Sequence, residues 1–259
     1  MPNIETPGAI INFEVIGDHG PWVTLINGHT RSSNDFRMMA RIFSEAGLRV
    51  LLLDNRGAGK SKVSSPFTIT DMCADVVALW DHLEIEKSSL LGISMGGFIS
   101  QGVAIQSPSR VSKLVLVSTA PEDRFIHPTG GGWISEGSQL EEKMRSYFAP
   151  GFVDRNPVLF KTMVSQIRQS IESGKFTSLS NMQRDALRGA SWTQSLASIQ
   201  CQTCIIHGGM DLVIDLAGAQ LLKSSIPNSQ IKIIPSAGHL LLAEAPKELY
   251  ALALEFLKK

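Results

Sequence analysis

A G-x-S-x-G pentapeptide, residues 92–96, follows directly after the apolar pair Leu90-Leu91 and precedes a second apolar run. This position predicts a sharp turn from a strand into a helix, with the serine at its apex. A serine hydroxyl is a poor nucleophile at neutral pH, and such a turn lifts it clear of the backbone only where its neighbours are small. The two glycines of the motif meet that need, so Ser94 is the candidate nucleophile. The backbone N–H of Met95, in the first turn of the predicted helix, is a candidate donor to an oxyanion.

Short apolar runs alternate with helical patterns along most of the chain, which is typical of a mostly parallel sheet covered by helices. We predict strands over Ile10–Ile16, Trp22–Asn27, Arg49–Asp54, Ser89–Ile93, Lys113–Ser118, Thr203–His207 and Gln230–Ile234. Apolar residues at three- and four-residue spacing predict helices over Asp35–Ala46, Thr70–Leu83, Met95–Gln106, Leu216–Ser225 and Pro246–Leu257. The 259 residues suffice for one large domain with an insertion.

The alternation breaks over residues 121–197, which contain no convincing strand. Amphipathic segments predict helices there over Gln139–Phe148, Pro157–Glu172 and Leu179–Leu187. We therefore expect a core of residues 1–120 and 198–259 and a helical cap, or lid, of residues 121–197. Long insertions of this kind usually carry function, so the cap is expected to cover a site at the strand ends. The alternative is that these helices only cover the sheet.

Substrate specificity is expected to reside in the cap. The candidate substrate-binding residues there are Trp133, Phe160, Met163 and Trp192, with Phe148 and Phe152 beside them. Large aromatic and methionine side chains can equally be ordinary packing, and that alternative stays open.

A nucleophilic serine needs a base and a group that orients the base, and in a parallel sheet both come from loops at the carboxyl ends of later strands. Asp211 follows the predicted strand Thr203–His207, and His239 follows Gln230–Ile234. We assign His239 as the base that takes the Ser94 proton and Asp211 as the acid that orients the imidazole. The alternatives for the acid are Asp123 and Asp215.

The loop after the predicted strand Trp22–Asn27 offers a second oxyanion donor. Gly28 permits a tight turn, and we expect the backbone N–H of His29 to face the oxyanion. Its side chain need not take part. Arg31, in the same loop, is a candidate partner for a substrate carboxylate, although arginine is also common on polar surfaces.

The charge balance argues against nucleic acid and membranes as partners. Lysine plus arginine and aspartate plus glutamate each number 24, so the net charge is zero. Small neutral substrates fit this balance better than polyanions do. No apolar run approaches the roughly 18 residues that span a bilayer, and no secretion signal is seen. We therefore expect a soluble, cytoplasmic protein.

Two weaker motifs are interpreted as structural. Cys201 and Cys204 have C-x-x-C spacing, but no second Cys or His pair completes a zinc set. Residues 54–61 are a near miss for a phosphate-binding loop, because Asp54 replaces the first glycine and would repel a phosphate. We expect neither a metal nor a nucleotide.

Taken together, the motifs resemble those of the α/β-hydrolase superfamily along nearly the whole chain. The matching segments are Asn27-Gly28, Asp54-x-Arg56-Gly57-x-Gly59-x-Ser61, Gly92-x-Ser94-x-Gly96, His207-Gly208-x-x-Asp211 and Gly238-His239 with Glu244-x-Pro246. The resemblance implies an α/β fold with a mostly parallel eight-stranded sheet flanked by helices, a cap insertion, no cofactor and a triad of Ser94, Asp211 and His239. Asn27 stands where the family usually has histidine. An asparagine at this position resembles the enol-lactonase-like branch.

The resemblance implies a serine hydrolase that cleaves a small carboxylic ester or lactone through an acyl-enzyme, as carboxylesterases and lactonases do. The serine argues against the haloalkane dehalogenases and epoxide hydrolases of this fold, whose nucleophile is a carboxylate. Carbon–carbon-bond hydrolases, perhydrolases, thioesterases and aminopeptidases stay open. An alternative of another class is a ligand-sensing signalling module with slow or no turnover, whose cap recruits a partner protein.

Overall fold

The computed structural model of the chain describes residues 2–127, 139–172, 174 and 176–259. The strands within them are β1 (Asn3–Thr6), β2 (Ala9–Ile16), β3 (Trp22–Ile26), β4 (Arg49–Leu53), β5 (Lys62–Val63), β6 (Ser88–Ile93), β7 (Val111–Val117), β8 (Gln202–Gly208) and β9 (Ser229–Ile234). The helices are α1 (Arg37–Glu45), α2 (Ile69–His82), α3 (Met95–Gln106), α4 (Leu140–Arg145), α5 (Phe152–Arg155), α6 (Pro157–Glu172), α7 (Phe176–Leu187), α8 (Leu216–Ser225), α9 (Leu241–Glu244) and α10 (Pro246–Lys258). The seven predicted strands and the five predicted core helices are confirmed, with ends shifted by at most two residues.

The strands form one sheet in the order β1-β2-β4-β3-β6-β7-β8-β9, and β5 pairs with β2 beside this series. Pairing is parallel from β4 through to β9, whereas β2 runs antiparallel to β1, β4 and β5. The predicted mostly parallel sheet is confirmed. The sequence does not reveal β1 and β5, because strands of four and two residues are too short to show a period. The described sheet therefore has nine strands rather than eight.

Helices cover both faces of the sheet. On one face lie α2, α3 and α8, where Trp80 and Ile99 are fully buried. On the other lie α1 and α10, which contribute Phe43 and Phe256 to a second apolar cluster. All six residues of β6 are buried, as expected for a parallel strand covered on both faces. The central strand therefore fixes the position of Ser94, which follows its last residue.

Between β7 and β8 the chain leaves the sheet and forms α4 to α7. Residues 121–197 are called the cap segment below, and their described part contains no strand. The apolar side chains of the cap segment form a cluster of their own that includes Met144, Phe148 and Phe160. The cluster packs against Leu240, directly after the candidate base. The helical character predicted for this segment is thus present, with α6 at its predicted bounds.

The loop after β4 is held in place by bonds of its side chains, within the loop and to other parts of the core. Asp54 accepts hydrogen bonds from the backbone N–H groups of Ser33 at 2.7 Å and Lys60 at 2.9 Å. Arg56 and Asp75 form a buried ion pair with a shortest N–O distance of 2.5 Å. Asp54 therefore has a structural role at the position where a phosphate-binding loop has glycine.

Candidate active site

Ser94 lies at the turn from β6 into α3, with a backbone φ of 55° and ψ of −120°. A non-glycine residue in this region is strained by about 1–3 kcal/mol, which the surrounding structure must hold in place. The backbone N–H of Ser94 donates to the Val117 carbonyl at 2.9 Å. A Cβ on Gly92 would lie 2.2 Å from the Gly96 carbonyl oxygen, and one on Gly96 would lie 2.0 Å from that of Ile26. Both glycines are therefore required by close backbone approach.

The side chains of Ser94, His239 and Asp211 form a hydrogen-bonded chain. His239 Nε2 lies 3.1 Å from Ser94 Oγ, and His239 Nδ1 lies 2.8 Å from Asp211 Oδ2. The backbone N–H of His239 donates to the Tyr147 carbonyl at 2.9 Å, which anchors the histidine to the cap segment. When Nδ1 carries the proton and donates it to Asp211, Nε2 can accept the proton of Ser94. The structure thus brings the three predicted residues together in the order that proton transfer needs.

Asp211 is almost fully buried, yet both of its oxygens have partners. Its Oδ1 accepts backbone N–H groups from Val213 at 2.8 Å and Ile214 at 2.9 Å, and Oδ2 faces His239. Burial alone would raise the pKa of Asp211, but the charge and hydrogen bond of His239, with smaller contributions from His207 and the Ile214 N–H, hold that pKa below its ordinary 3.8. An ionised Asp211 can offset positive charge on the imidazole.

The two alternative acids have other partners. Asp215 accepts the Ala217 N–H at 2.8 Å and so caps the N-terminus of α8. Asp123 accepts the Gly189 N–H at 2.7 Å within the cap segment. In the part of the chain that the structure describes, the imidazole of His239 meets Asp211 and neither of these carboxylates.

Two further side chains, His207 and Tyr147, lie beside His239, and neither is among the predicted site residues. His207 is buried, with Nε2 3.2 Å from the Ile214 carbonyl and 3.7 Å from Asp211. Burial lowers the pKa of His207, so this imidazole is neutral near pH 7. The ring of Tyr147 packs edge-on against His239 with ring centroids 5.7 Å apart, and burial raises the pKa of its phenol. Both groups shield the His239–Asp211 pair from water.

The two residues predicted to donate to an oxyanion, His29 and Met95, both line the cavity that contains Ser94. Asn27 Oδ1 accepts the Gly28 N–H at 2.8 Å and so shapes the turn before His29. A Cβ on Gly28 would lie 3.3 Å from the Cβ of Ser94. Glycine at this position leaves room beside the nucleophile for a reacting carbonyl.

The side chain of His29 joins the core to the cap segment. Its Nε2 lies 2.9 Å from the Ser180 carbonyl in α7. Gln183, one turn further, accepts the Thr30 N–H at 2.7 Å and donates to the Arg56 carbonyl at 2.6 Å. Burial lowers the pKa of His29 to about 4, so its imidazole is neutral near pH 7. Helix α7 is therefore tied to two loops of the core, one of which carries the predicted oxyanion donor.

A cavity of about 360 Å³ opens beside Ser94 and His239. Most of its wall is apolar and comes from both the core and the cap segment, including Ile214 and the predicted Met163. Arg31 also lines the cavity, and its guanidinium is paired with the carboxylate of Asp35. A cavity of this size and character suits a small organic molecule.

Two residues that the sequence placed in the binding site lie elsewhere. Phe160 is buried within the apolar cluster of the cap segment. Trp192 packs against the core, where its indole N–H donates to the Phe98 carbonyl at 3.0 Å. Neither side chain lines the cavity. Trp133 lies outside the described residues.

Among the described residues, no group of three or more His, Cys, Asp or Glu side chains is arranged to hold a metal ion. Cys204 is buried in β8, and Cys201 just before it is half-buried. Burial raises the pKa of both thiols, to about 11 for Cys204, so they are weak nucleophiles and ligands near neutral pH. None of the described helices is long and apolar enough to cross a bilayer.

Comparison with known proteins agrees with the fold. A family model described as the α/β-hydrolase fold matches residues 21–246. This span contains most of the sheet, the cap segment and the three side chains of the hydrogen-bonded chain. The chain belongs to the α/β-hydrolase family.

Three similar proteins are hydrolases. The chain is 27% identical over 208 residues to 3-oxoadipate enol-lactonase 2 of Acinetobacter baylyi. The matched region covers 76% of this chain and 74% of the relative. It is 28% identical over 278 residues to the 2-hydroxy-6-oxononadienedioate/2-hydroxy-6-oxononatrienedioate hydrolase of Escherichia coli, with 99% and 94% covered. A solved meta-cleavage product hydrolase of Pseudomonas fluorescens IP01 is 25% identical and superimposes with a TM-score of 0.86 over 100% of this chain and 97% of that one. These similarities support hydrolase activity.

Proposed function

We propose that the chain is a serine hydrolase that cleaves a small carboxylic ester or lactone through an acyl-enzyme. The observation that carries this proposal is the hydrogen-bonded chain from Ser94 through His239 to Asp211 at the wall of an apolar cavity. The similarity to an enol-lactonase supports cleavage of an ester or lactone bond.

Acylation begins when Ser94 Oγ attacks the substrate carbonyl carbon and its proton moves to His239 Nε2. The oxyanion accepts hydrogen bonds from the backbone N–H groups of His29 and Met95, and Met95 adds the positive end of α3. Asp211 stabilises the imidazolium. His239 then returns the proton to the leaving oxygen, the ester C–O bond breaks, and Ser94 is left acylated.

Deacylation reverses these roles with water as the nucleophile. His239 takes a proton from the water, the hydroxide attacks the acyl carbon, and the bond to Ser94 Oγ breaks as the proton returns to that oxygen. With a lactone, the acid and the alcohol stay in one molecule, and the ring opens.

In this proposal the cap segment closes the cavity over the reacting atoms. Its role is supported by Met144, Met163 and Leu187, three apolar side chains of the cap segment that line the cavity. An apolar wall excludes bulk water, so hydrogen bonds to the oxyanion act at low dielectric.

The proposal is tested with p-nitrophenyl esters of increasing acyl length and an enol-lactone, assayed beside Ser94→Ala. Turnover is expected to peak at one chain length and to fall by about 10⁴-fold or more without the nucleophile. Ser107→Ala, at the half-buried C-terminal end of α3, is the matched control and should retain full activity. Substantial ester turnover in Ser94→Ala would exclude the mechanism. No turnover with any ester, while a fluorophosphonate still labels Ser94, would favour a ligand-sensing role.

A second candidate is cleavage of a carbon–carbon bond, favoured by the similarity to the Escherichia coli and Pseudomonas hydrolases named above. The two candidates are separated by assaying a 2-hydroxy-6-oxodienoate beside the preferred ester. An ester hydrolase turns over the ester far faster, whereas a carbon–carbon-bond hydrolase consumes the dienoate far faster. Both reactions should require Ser94 and His239.

A further inference from the structure

The wall of the cavity contains an arginine whose charge is already offset by a carboxylate. Among the described residues that line the cavity, Arg31 is the only lysine or arginine. Its Nε lies 2.6 Å from Asp35 Oδ2, and its second guanidinium nitrogen lies 2.8 Å from Asp35 Oδ1. A bidentate pair of this geometry uses two of the five N–H donors of the guanidinium and offsets its positive charge.

Asp35 is itself held in place. Asn27 Nδ2 donates to Asp35 Oδ2 at 3.3 Å and to the Ser32 carbonyl at 2.7 Å. Asp35 also lies four residues from Arg31, so the pair closes across a single short turn. A substrate carboxylate would therefore meet a guanidinium whose charge is already offset by a carboxylate that Asn27 holds in place.

The remaining charges on the cavity wall are acidic. Asp35, Glu122 and Asp123 set three carboxylates against the single guanidinium of Arg31. Glu122 is paired with Arg124, which does not line the cavity. Asp123 accepts a backbone N–H and has no cation as its hydrogen-bond partner among the described residues. The charged side chains that line the cavity therefore carry more negative than positive charge, which disfavours an anionic ligand.

We infer that the cavity selects uncharged substrates, such as neutral esters or lactones with an apolar acyl group, and that Asp35 determines this specificity by occupying Arg31. The inference rests on the proposed function and deepens it. Two of the relatives are named for carboxylate-bearing compounds, a 3-oxoadipate enol-lactone and a nonadienedioate. This chain would differ from them in the charge of its substrate.

The test compares two acyl groups of equal length. One substrate is p-nitrophenyl pentanoate, and the other is p-nitrophenyl hydrogen glutarate, which ends in a carboxylate. We expect the protein to favour the pentanoate by at least about tenfold in kcat/KM, since one repelled charge at this range changes binding by that order. The methyl ester of the glutarate, polar but uncharged, should restore most of the rate.

Substitution of Asp35 gives the sharper test. Asp35→Asn leaves the guanidinium of Arg31 unpaired and should raise the glutarate-to-pentanoate ratio of kcat/KM about tenfold, an effect that weakens in high salt. Adding Arg31→Gln to this variant should return the ratio toward its original value, even if the loop is perturbed. Glu14→Gln removes the partner of Arg37, another surface arginine away from the cavity, and should change neither rate.

These experiments distinguish failure of the charge selectivity from failure of the proposed hydrolase function. Equal rates on the charged and uncharged esters, or an unchanged ratio in Asp35→Asn, overturn the inference while leaving a serine hydrolase. If neither ester is turned over in a Ser94-dependent way, the proposed function fails and the inference falls with it. Outside the described residues, Lys175 alone carries a basic side chain. Glutarate hydrolysis that disappears in Lys175→Ala would likewise overturn the inference.

Discussion

Glu244 accepts a hydrogen bond from the backbone N–H of Ala149 at 2.7 Å, through the same oxygen that accepts the Gly238 N–H at 3.0 Å. Ala149 belongs to the cap segment, and Gly238 immediately precedes His239. One carboxylate therefore joins the candidate base to the cap segment. Burial raises the pKa of Glu244.

Glu244→Ala should lower kcat about tenfold with little change in KM, because the histidine loop loses its anchor while the cavity wall is kept. Unfolding by urea should show a loss of about 1–3 kcal/mol from two unpaired N–H groups. Glu244→Gln, whose amide oxygen can accept both bonds, should recover most of both losses. Glu248→Ala on the exposed face of α10 is the control. An unchanged kcat in Glu244→Ala would show that the anchor has no part in positioning His239.

Asp211→Asn should reduce kcat by about 10⁴-fold, because the neutral amide neither fixes the imidazole tautomer nor offsets its charge. Asp215→Asn is the matched control, since Asp215 caps α8 and its carboxylate does not bond His239. Asparagine is also a good N-cap, so this variant should keep both activity and stability. Initial rates with the best p-nitrophenyl ester measure both effects. Equal losses in the two variants would remove Asp211 from its assigned role.

His29 should make the protein sensitive to mild acid. Its pKa is about 4 in the folded chain and has an ordinary value of 6.5, so unfolding below pH 6.5 takes up a proton. The stability that depends on a neutral His29 is complete above pH 6.5 and falls by up to about 3 kcal/mol as the pH drops through 4. His29→Gln should therefore lose about 2 kcal/mol less than the unaltered protein between pH 7.5 and pH 4.5 in urea unfolding.

The control for this experiment is His19→Gln, since His19 is exposed. Its unfolding free energy should follow that of the unaltered protein at both pH values. Parallel curves for the His29 variant and the unaltered protein would mean that His29 gains its proton before unfolding.

Gly96→Ala should prevent folding or destabilise the protein by more than about 4 kcal/mol, because the new methyl group would overlap the Ile26 carbonyl oxygen. Gly189→Ala is the contrasting variant. Gly189 has a φ of 69° but open space around it, so only the backbone strain of about 1–2 kcal/mol is expected. Thermal unfolding of the two proteins distinguishes overlap from strain, and equal melting temperatures would contradict the predicted close approach.

The sequence predicted the core of the fold because its signals are local. The apolar strands of a parallel sheet end at one edge, so residues directly after β6, β8 and β9 were expected to converge there. The structure places Ser94, Asp211 and His239 at that edge, within hydrogen-bond distance along the chain. Strand pairing thus converts separations of more than a hundred residues into contacts.

The cavity wall was less predictable. Helical periodicity shows that Phe160 and Met163 face inward, but not whether they meet a neighbouring helix or a cavity. Phe160 packs within the cap segment, whereas Met163 reaches the cavity. Glu244 and Ala149 meet across 95 positions, and no local pattern signals which backbone N–H a distant carboxylate will accept.

The bonds of Gln183 couple the position of α7 to the loop that carries the proposed oxyanion donor. If α7 swings outward to admit a ligand, Gln183 must release both Thr30 and Arg56. Thr30 directly follows His29, whose backbone N–H is the proposed donor to the oxyanion of the substrate. A displaced α7 would therefore leave the loop of the proposed oxyanion donor without one of its anchors.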